Sequence, residues 1–258
     1  MAALGCLSAA DIESIERATL VAVAPERVDQ LDGWLLPMDR GTVGRAHSAV
    51  PLHHGLQAPS LIGTIVGHYR EAGHRPAFRL PDSPAFDTWW PELAARGFRR
   101  EQPTLTQTGS IAGLLALAPD TEGVSLAARA DEAWMAMYLG EGLDPVDGAS
   151  RSKALARAEG TLFASLQEGG ETLACGAAGF AHGWLGLHGM RTAARVRGRG
   201  LAGRLIRAMA LEAQRRGIPR AFLQVDGANV PALALYRRAG MSTAWTYAYW
   251  RLPAADPS

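Results

Sequence analysis

The chain has 258 residues, of which 48% are hydrophobic and 20% charged, and its 26 basic and 25 acidic residues leave a formal net charge of +1. This composition is typical of a globular protein and argues against disorder, while no apolar run approaches the ~18 residues that a membrane span needs. The balanced charge gives no overall field that would gather nucleic acid. Because Cys6 and Cys175 suggest neither a disulfide framework nor a metal site, we expect a reducing, cytoplasmic location.

The first half of the chain begins with a predicted helix that reaches Val23. Ser8 is suited to cap it, and Ile12, Ile15 and Leu20 recur at roughly helical spacing. The elements predicted next are strands at 33–36 and 42–50 joined by a hairpin turn at 39–41, a helix at 60–72, a strand at 77–80, a helix at 86–96 and a strand at 98–107. Residues 109–123, rich in Gly, Ala and Leu, are predicted to connect the two halves.

The second half is predicted to contain a three-stranded meander followed by helices and strands in alternation. Its predicted elements are a strand at 124–128, helices at 131–139 and 149–158, strands at 161–167, 172–181 and 184–192, a helix at 201–216, a strand at 221–225, a helix at 231–238 and a final pair of strands that ends at 251. Pro231 suits the first turn of its helix.

The two halves end alike, with a helix that Gly97 or Gly240 closes before a last strand. This order predicts an α+β fold with a mixed, mostly antiparallel central sheet flanked by helices. It also favours two similar domains in tandem, at residues 1–110 and 124–258, with a linker at 111–123. A strand-helix-strand-helix succession is common, so the likeness of the halves has an ordinary alternative explanation.

The chemistry is concentrated in residues 195–205, which lie between a predicted strand and an amphipathic helix. Glycines at 198, 200 and 203 let backbone amides and the positive helix end face an anion. Arg195, Arg197 and Arg199 add positive charge, so a diphosphate is the expected ligand. No Gly-Lys-Ser/Thr follows and no acidic residue closes a parallel βαβ unit, so a Walker loop and a dinucleotide fingerprint are both set aside.

The whole C-terminal half resembles the GNAT superfamily of acyl-CoA-dependent N-acetyltransferases. The superfamily's diphosphate loop, Arg/Gln-x-x-Gly-x-Gly/Ala, is matched by Arg197, Gly200 and Ala202. Its later motif, Asn-x-x-Ala-x-x-Leu-Tyr-x-x-x-Gly-Phe, is matched at Asn229, Ala232, Leu235, Tyr236 and Gly240, with Met241 in place of the usual Phe. Residues 31–35 and 44–48 resemble the first half of bacterial tandem GNAT proteins, in which a degenerate domain precedes the catalytic one. Because the first half has no Gly-rich loop, we expect one acyl-CoA site.

The resemblance implies a set of cosubstrate-binding residues and a proton donor. The residues implied in binding acetyl-CoA, or another acyl-CoA, are Met190, Arg191, Thr192, Arg197, Gly198, Arg199, Gly200, Leu201, Ala202, Asn229 and Tyr236. Tyr236 matches the tyrosine that protonates the departing thiolate, although in several members this residue only positions the cosubstrate. Asn229 either binds the cosubstrate or caps a helix.

The general base is harder to assign from the sequence. His188 is the only group on strand 184–192 that titrates near neutrality, so it is the candidate base. His182, Asp226, a chain of waters or an amine that is already neutral are alternatives. The histidines of the first half form no zinc-binding pattern, and no metal is expected.

The sequence therefore predicts an N-acetyltransferase in which a primary amine of a small molecule attacks the acyl group directly in a ternary complex. A small acceptor is favoured because an extra domain suggests a pocket between the halves. A noncatalytic acyl-CoA sensor, or a transferase that uses a carrier-protein or aminoacyl-tRNA donor, is the alternative. Neither a membrane nor nucleic acid is expected as a partner, and a homodimer is compatible with the sequence.

Overall fold

The computed structural model describes residues 7–140 and 144–253, so Cys6 lies outside the described residues. The helices and strands of the first half are α1 (Ala9–Val23), β1 (Arg27–Leu31), β2 (Trp34–Met38), β3 (Val50–Pro51), α2 (Leu61–Glu71), β4 (Ala77–Pro81), α3 (Trp89–Ala95) and β5 (Arg99–Ser110). Those that follow are α4 (Ile111–Leu115), β6 (Val124–Ala127), α5 (Glu132–Ala136), α6 (Pro145–Ala156), β7 (Leu162–Glu168), β8 (Glu171–Ala181), β9 (Trp184–Thr192), α7 (Leu201–Arg215), β10 (Arg220–Asp226), α8 (Val230–Arg238) and β11 (Ser242–Arg251).

The predicted α+β class with a mostly antiparallel sheet is confirmed. Eight strands form one sheet in the order β4-β11-β5-β10-β9-β8-β7-β6, and β1, β2 and β3 form a smaller antiparallel sheet. In the large sheet only β9 and β10 run parallel. Helix α7 packs across β7, β8 and β9, and its buried leucines, isoleucine and alanines form the centre of the larger apolar core.

Strands from the two halves of the chain alternate in the large sheet. The last strand, β11, lies between β4 and β5, and β5 in turn pairs with β10. Helix α1 also crosses to the C-terminal half, where it packs on β8 and β9. Its Glu16 forms a fully buried ion pair with Arg79 of β4 at 2.5 Å, so α1 is also tied to the strands of its own half. The domain boundaries inferred from the sequence stay a prediction.

The predicted position of the first hairpin turn is wrong. The chain reverses between β1 and β2 at Asp32 and Gly33, where φ is 44° and 80°. Asp-Gly is suited to this two-residue turn because both positions need a positive φ. Residues 39–41 instead form a bend in which Asp39 accepts the Gly41 amide at 2.6 Å, and most of 42–50 is irregular.

The predicted final pair of strands is also wrong, because Ser242–Arg251 is one strand. Two register shifts against β5, near Trp245 and Tyr249, interrupt its regular pairing without ending it. Two tryptophans of the first half belong to the core. Trp34 and Trp89 are fully buried, and their rings stack at 4.8 Å.

Candidate active site

A deep cleft lies where two neighbouring strands separate. Strands β9 and β10 are paired from Trp184 with Arg220 as far as Leu187 with Leu223, and beyond that point they diverge. The cleft has a volume of about 1330 Å³ and is lined by the diverging strand ends, the start of α7, α8 and segments of the N-terminal half. All the binding and catalytic residues predicted from the sequence line it except Arg199. The fold thus brings together residues that are far apart in the sequence.

A bulge in β9 shapes the floor of the cleft. The register against β8 shifts between the pairs Cys175–Arg191 and Ala177–His188, and Gly189 has a φ of 62°. The buried hydroxyl of Tyr138 donates to the Gly189 carbonyl at 2.6 Å. A β-carbon on Gly189 would lie 2.1 Å from that hydroxyl oxygen. Both the backbone angle and the close approach therefore require glycine here.

We expect Gly189→Ala to destabilise the protein by roughly 2–4 kcal/mol, because it combines left-handed backbone strain with loss of the tyrosine hydrogen bond. Urea unfolding measures this. Gly160→Ala is the matched control, since Gly160 has a φ of 69° and open space around it, so its variant carries only the strain of about 1–2 kcal/mol. Equal losses for the two variants would show that the Tyr138 contact is energetically unimportant.

The Gly-rich loop forms a cradle of free backbone amides at one end of the cleft. Within the described residues, the amides of 198–203 donate to no protein acceptor. Gly200 is the N-cap of α7 in the left-handed region, and a β-carbon at Gly198 or Gly200 would point into open space. Free amides together with the positive end of a 15-residue helix favour an anion at this position.

The four arginines around this loop differ in what they contact. Arg195 pairs with Glu171, Arg199 with Glu168 at 3.1 Å, and Arg204 with Asp120 at 3.3 Å. Arg197 has no carboxylate partner in the part of the chain that the structure describes, and its Nε donates to the Thr192 carbonyl at 3.4 Å. Arg197 is therefore the loop arginine whose charge is available to an anion in the cradle, whereas Arg199 points to the rim of the sheet.

Tyr236 and Asn229 belong to the opposite wall, on and before α8. Tyr236 is buried and lines the cleft, and no described residue accepts a hydrogen bond from its hydroxyl. Burial raises the pKa of Tyr236 to about 12, so the phenol is a proton donor at neutral pH. The Asn229 side-chain oxygen accepts the Ala232 amide at 3.2 Å and so caps α8. Asn229 also lines the cleft.

Comparison with protein families gives a match over residues 9–250 to the family described as "Probable histone acetyltransferase Rv0428c C-terminal". The chain belongs to this family, within the GNAT superfamily. Comparison with curated protein sequences gives no significant match.

Solved GNAT structures share the fold of the whole chain. A GCN5-related N-acetyltransferase from Kribbella flavida matches with a TM-score of 0.68 and 20% identity, covering 98% of both chains. A GCN5-related N-acetyltransferase from Sphaerobacter thermophilus matches with a TM-score of 0.56 and 17% identity over 98% of this chain and 96% of that one. A tandem GNAT protein from the clavulanic acid biosynthesis pathway matches with a TM-score of 0.57 and 15% identity, covering 98% of each. At these identities the likeness shows the GNAT fold.

His188 lies on β9 at the inner end of the GNAT cleft. Its side chain is 3% exposed, and neither ring nitrogen has a hydrogen-bond partner among the described residues. Burial, with a smaller effect from the Arg45 charge, lowers the pKa of His188 to about 3. The ring is therefore neutral at pH 7 and only weakly basic. Its role as the general base stays a prediction.

The His188 pKa predicts a loss of stability in acid. The folded-state pKa lies below the ordinary value of 6.5, so between pH 6.5 and about 3 the unfolded chain binds a proton that the folded chain does not. Protonation of His188 therefore costs no stability above pH 6.5. Within that window the free energy of unfolding falls by about 1 kcal/mol for each pH unit of acidification. Urea unfolding at pH 6.5, 5.5 and 4.5 should show a steeper acid loss for the wild type than for His188→Gln. Parallel pH profiles would contradict the shift.

Several cleft residues were missed by the sequence analysis. Arg45, from a short 3-10 helix at Gly44–Ala46, donates to the Gln224 side chain of β10 at 2.7 Å. Tyr247, Tyr249 and Arg251 of β11 also line the cleft. The segment 44–48 resembles part of tandem GNAT proteins, but no local pattern connects Arg45 to a residue 179 positions away.

Within the described segments, none of the helices is long and apolar enough to cross a membrane, and no cluster of three or more His, Cys, Asp or Glu side chains is arranged to hold a metal ion.

Proposed function

We propose that this protein is an acyl-CoA-dependent N-acetyltransferase that transfers an acetyl group to a primary amine of a small molecule. The observation that carries the proposal is that residues 198 and 200–203, whose amides are free, line the same cleft as Tyr236, whose hydroxyl has no partner among the described residues. Membership of an acetyltransferase family supports the same activity.

The cradle fits the diphosphate of acetyl-CoA. Six consecutive amides without protein acceptors are matched to phosphate oxygens, and Arg197 adds a positive charge. The absence of side chains at Gly198 and Gly200 leaves room for a ligand to approach the backbone. Met190, Arg191 and Thr192 line the path from this cradle to the inner part of the cleft.

When bound, acetyl-CoA supplies an acyl group already activated as a thioester. The chain's own residues then have to exclude water, orient the acceptor amine and provide a proton to the leaving sulfur. Tyr236 serves the last role, because its phenol is protonated and has no competing acceptor. Direct attack by the amine is favoured over a covalent enzyme, since Cys175 is buried outside the cleft and burial raises the pKa of its thiol to about 12.

The acceptor would occupy the inner part of the cleft, between the two halves of the chain. In the tandem arrangement we propose, the N-terminal domain of residues 1–110 has no acyl-CoA loop and completes the acceptor pocket of the C-terminal domain, 124–258. Its Arg45 and His47, which line the cleft, support this role. An enclosed pocket of this kind suits a small molecule better than an extended protein segment.

Isothermal titration with acetyl-CoA and with CoA, followed by thiol-release assays over a panel of amines, tests the proposal. We expect one binding site per chain and thiol release with at least one amine. Binding without release from any amine would indicate an acyl-CoA sensor. Absence of binding to either ligand would overturn the proposal and redirect the search to carrier-protein or aminoacyl-tRNA donors.

A further inference from the structure

Arg45 has a guanidinium with free hydrogen-bond donors at the inner end of the cleft. One of its terminal nitrogens, Nη1, donates to Gln224 at 2.7 Å. Its Nε and Nη2 donate to no acceptor among the described residues. Neither nitrogen is fully buried, and the residue lines the cleft. Nε and a terminal nitrogen form the side-on edge with which arginine binds a carboxylate through two parallel hydrogen bonds.

A chain of hydrogen bonds holds this guanidinium in place. The Thr19 hydroxyl donates to the Ile15 carbonyl at 2.8 Å within α1, and its oxygen accepts the Gln224 side-chain amide at 3.3 Å. Gln224 must therefore turn its carbonyl oxygen towards Arg45. Every hydrogen bond in this series joins a donor to an acceptor, so Arg45 is oriented before any ligand binds.

The Arg45 charge is not neutralised by a carboxylate. The nearby Glu16 is already paired with Arg79 at 2.5 Å, and both of those side chains are buried. Arg251, on the same side of the cleft, is paired with Glu101 at 3.4 Å. Asp226 accepts the Ala228 amide at 2.8 Å at the exposed rim. In the described part of the chain, no carboxylate lies within ion-pair distance of Arg45.

The same end of the cleft contains the unpartnered ring of His188. Both of its nitrogens are buried without a hydrogen bond. His188 and Gln224 are the next residues after the last pair between β9 and β10, and Gln224 in turn binds Arg45. The bulge shortens this stretch of β9. His188 to Thr192 spans only three steps of the paired strand β8, about 10 Å at roughly 3.3 Å per residue, and the amide cradle lies beyond Thr192. Arg45 is thus well separated from the cradle proposed for the diphosphate.

We propose that the acceptor carries a carboxylate close to its reacting amine, as a free amino acid does, and that Arg45 is the residue that binds this carboxylate. Gln224 is the positioning residue for Arg45. The single positive charge of Arg45 balances one carboxylate, whereas a phosphate monoester carries about two negative charges at neutral pH. This inference rests on the proposed acetyltransferase function.

The test compares thiol release, at saturating acetyl-CoA, for L-amino acids and for the corresponding primary amides, in which the carboxylate is replaced by a neutral group. The quantity is the ratio of kcat/KM for each acid to that for its amide. Because the same pair is used with every variant, differences in intrinsic amine reactivity cancel. We expect the wild type to favour an acid, and Arg45→Met to lower the ratio by roughly 10- to 100-fold, the usual effect of losing a charged hydrogen-bond donor.

Gln224→Glu provides a second, nearly isosteric variant. Its added carboxylate would pair with Arg45 and repel that of the substrate, so the ratio should fall as in Arg45→Met. Arg96→Met is the control, since it removes an exposed arginine outside the cleft. Isothermal titration should give the same acetyl-CoA affinity for all four proteins, because Arg45 and Gln224 lie away from the cradle.

The outcomes separate the two proposals. If acetyl-CoA binds and amines are acetylated but the ratio is the same in the wild type, Arg45→Met and Gln224→Glu, the carboxylate inference is overturned while the acetyltransferase function stands. Binding of acetyl-CoA without turnover of any acid would also overturn the inference. If acetyl-CoA does not bind to the wild type, the proposed function fails and the inference fails with it.

Discussion

Tyr236→Phe should lower kcat by roughly 10²- to 10⁴-fold while leaving the affinity for acetyl-CoA nearly unchanged. The range is that of a positioned general acid. The hydroxyl makes no hydrogen bond to the described residues, so its removal breaks no contact that holds α8 in place. The phenyl ring of the variant retains the buried packing of the tyrosine. Steady-state thiol release gives kcat, and isothermal titration gives the affinity.

Tyr69→Phe is the matched control for this substitution. Tyr69 is also fully buried, but its hydroxyl donates to the Pro37 carbonyl at 3.0 Å, away from the cleft. Its variant should lose about 0.5–1.5 kcal/mol of stability from the missing hydrogen bond and keep its turnover. Normal turnover by Tyr236→Phe would remove the proton-donor role. A matching loss of acetyl-CoA affinity would show that the hydroxyl positions the cosubstrate instead.

The parts of the fold that the sequence predicted well are those determined by local patterns. Helix α7, its Gly200 cap and the capped start of α8 at Asn229 are found where the loop motif and the later Asn-x-x-Ala motif place them. Glycines with positive φ and side-chain caps act within a few residues, so their spacing is visible in the sequence. The turn predicted at 39–41 lies instead at Asp32 and Gly33, where the Asp-Gly pair is an equally local signal.

The rest depends on contacts between distant parts of the chain. The insertion of β11 between β4 and β5 joins residues more than 130 positions apart, and no local periodicity encodes that pairing. The contact between Arg45 and Gln224 has the same character. Sequence reasoning grouped Arg199 with the other loop arginines, whereas its side chain turns to Glu168. The direction of a side chain in a loop follows from its neighbours in space, not from its place in a motif.

Gly200→Glu should abolish measurable binding of acetyl-CoA. Gly200 has a φ of 78° at the N-cap of α7, in the middle of the free amides of 198–203. A glutamate here would place a carboxylate among the donors that we propose bind the diphosphate, where it would compete for their hydrogen bonds and repel the phosphates. Its side chain would also occupy the open space beside the cradle. Isothermal titration with acetyl-CoA measures the loss.

Gly217→Glu isolates the effect on binding from the effect on the backbone. Gly217 also has a positive φ, of 69°, with open space around it, but it follows the opposite end of the same helix, about 22 Å away at 1.5 Å per residue. Both variants carry about 1–2 kcal/mol of left-handed strain and the same added charge. Only the variant at the cradle should lose binding. If Gly200→Glu bound acetyl-CoA as tightly as Gly217→Glu does, the amides of 198–203 would not be the diphosphate site, and the positive end of α7 would have no role in this protein's chemistry.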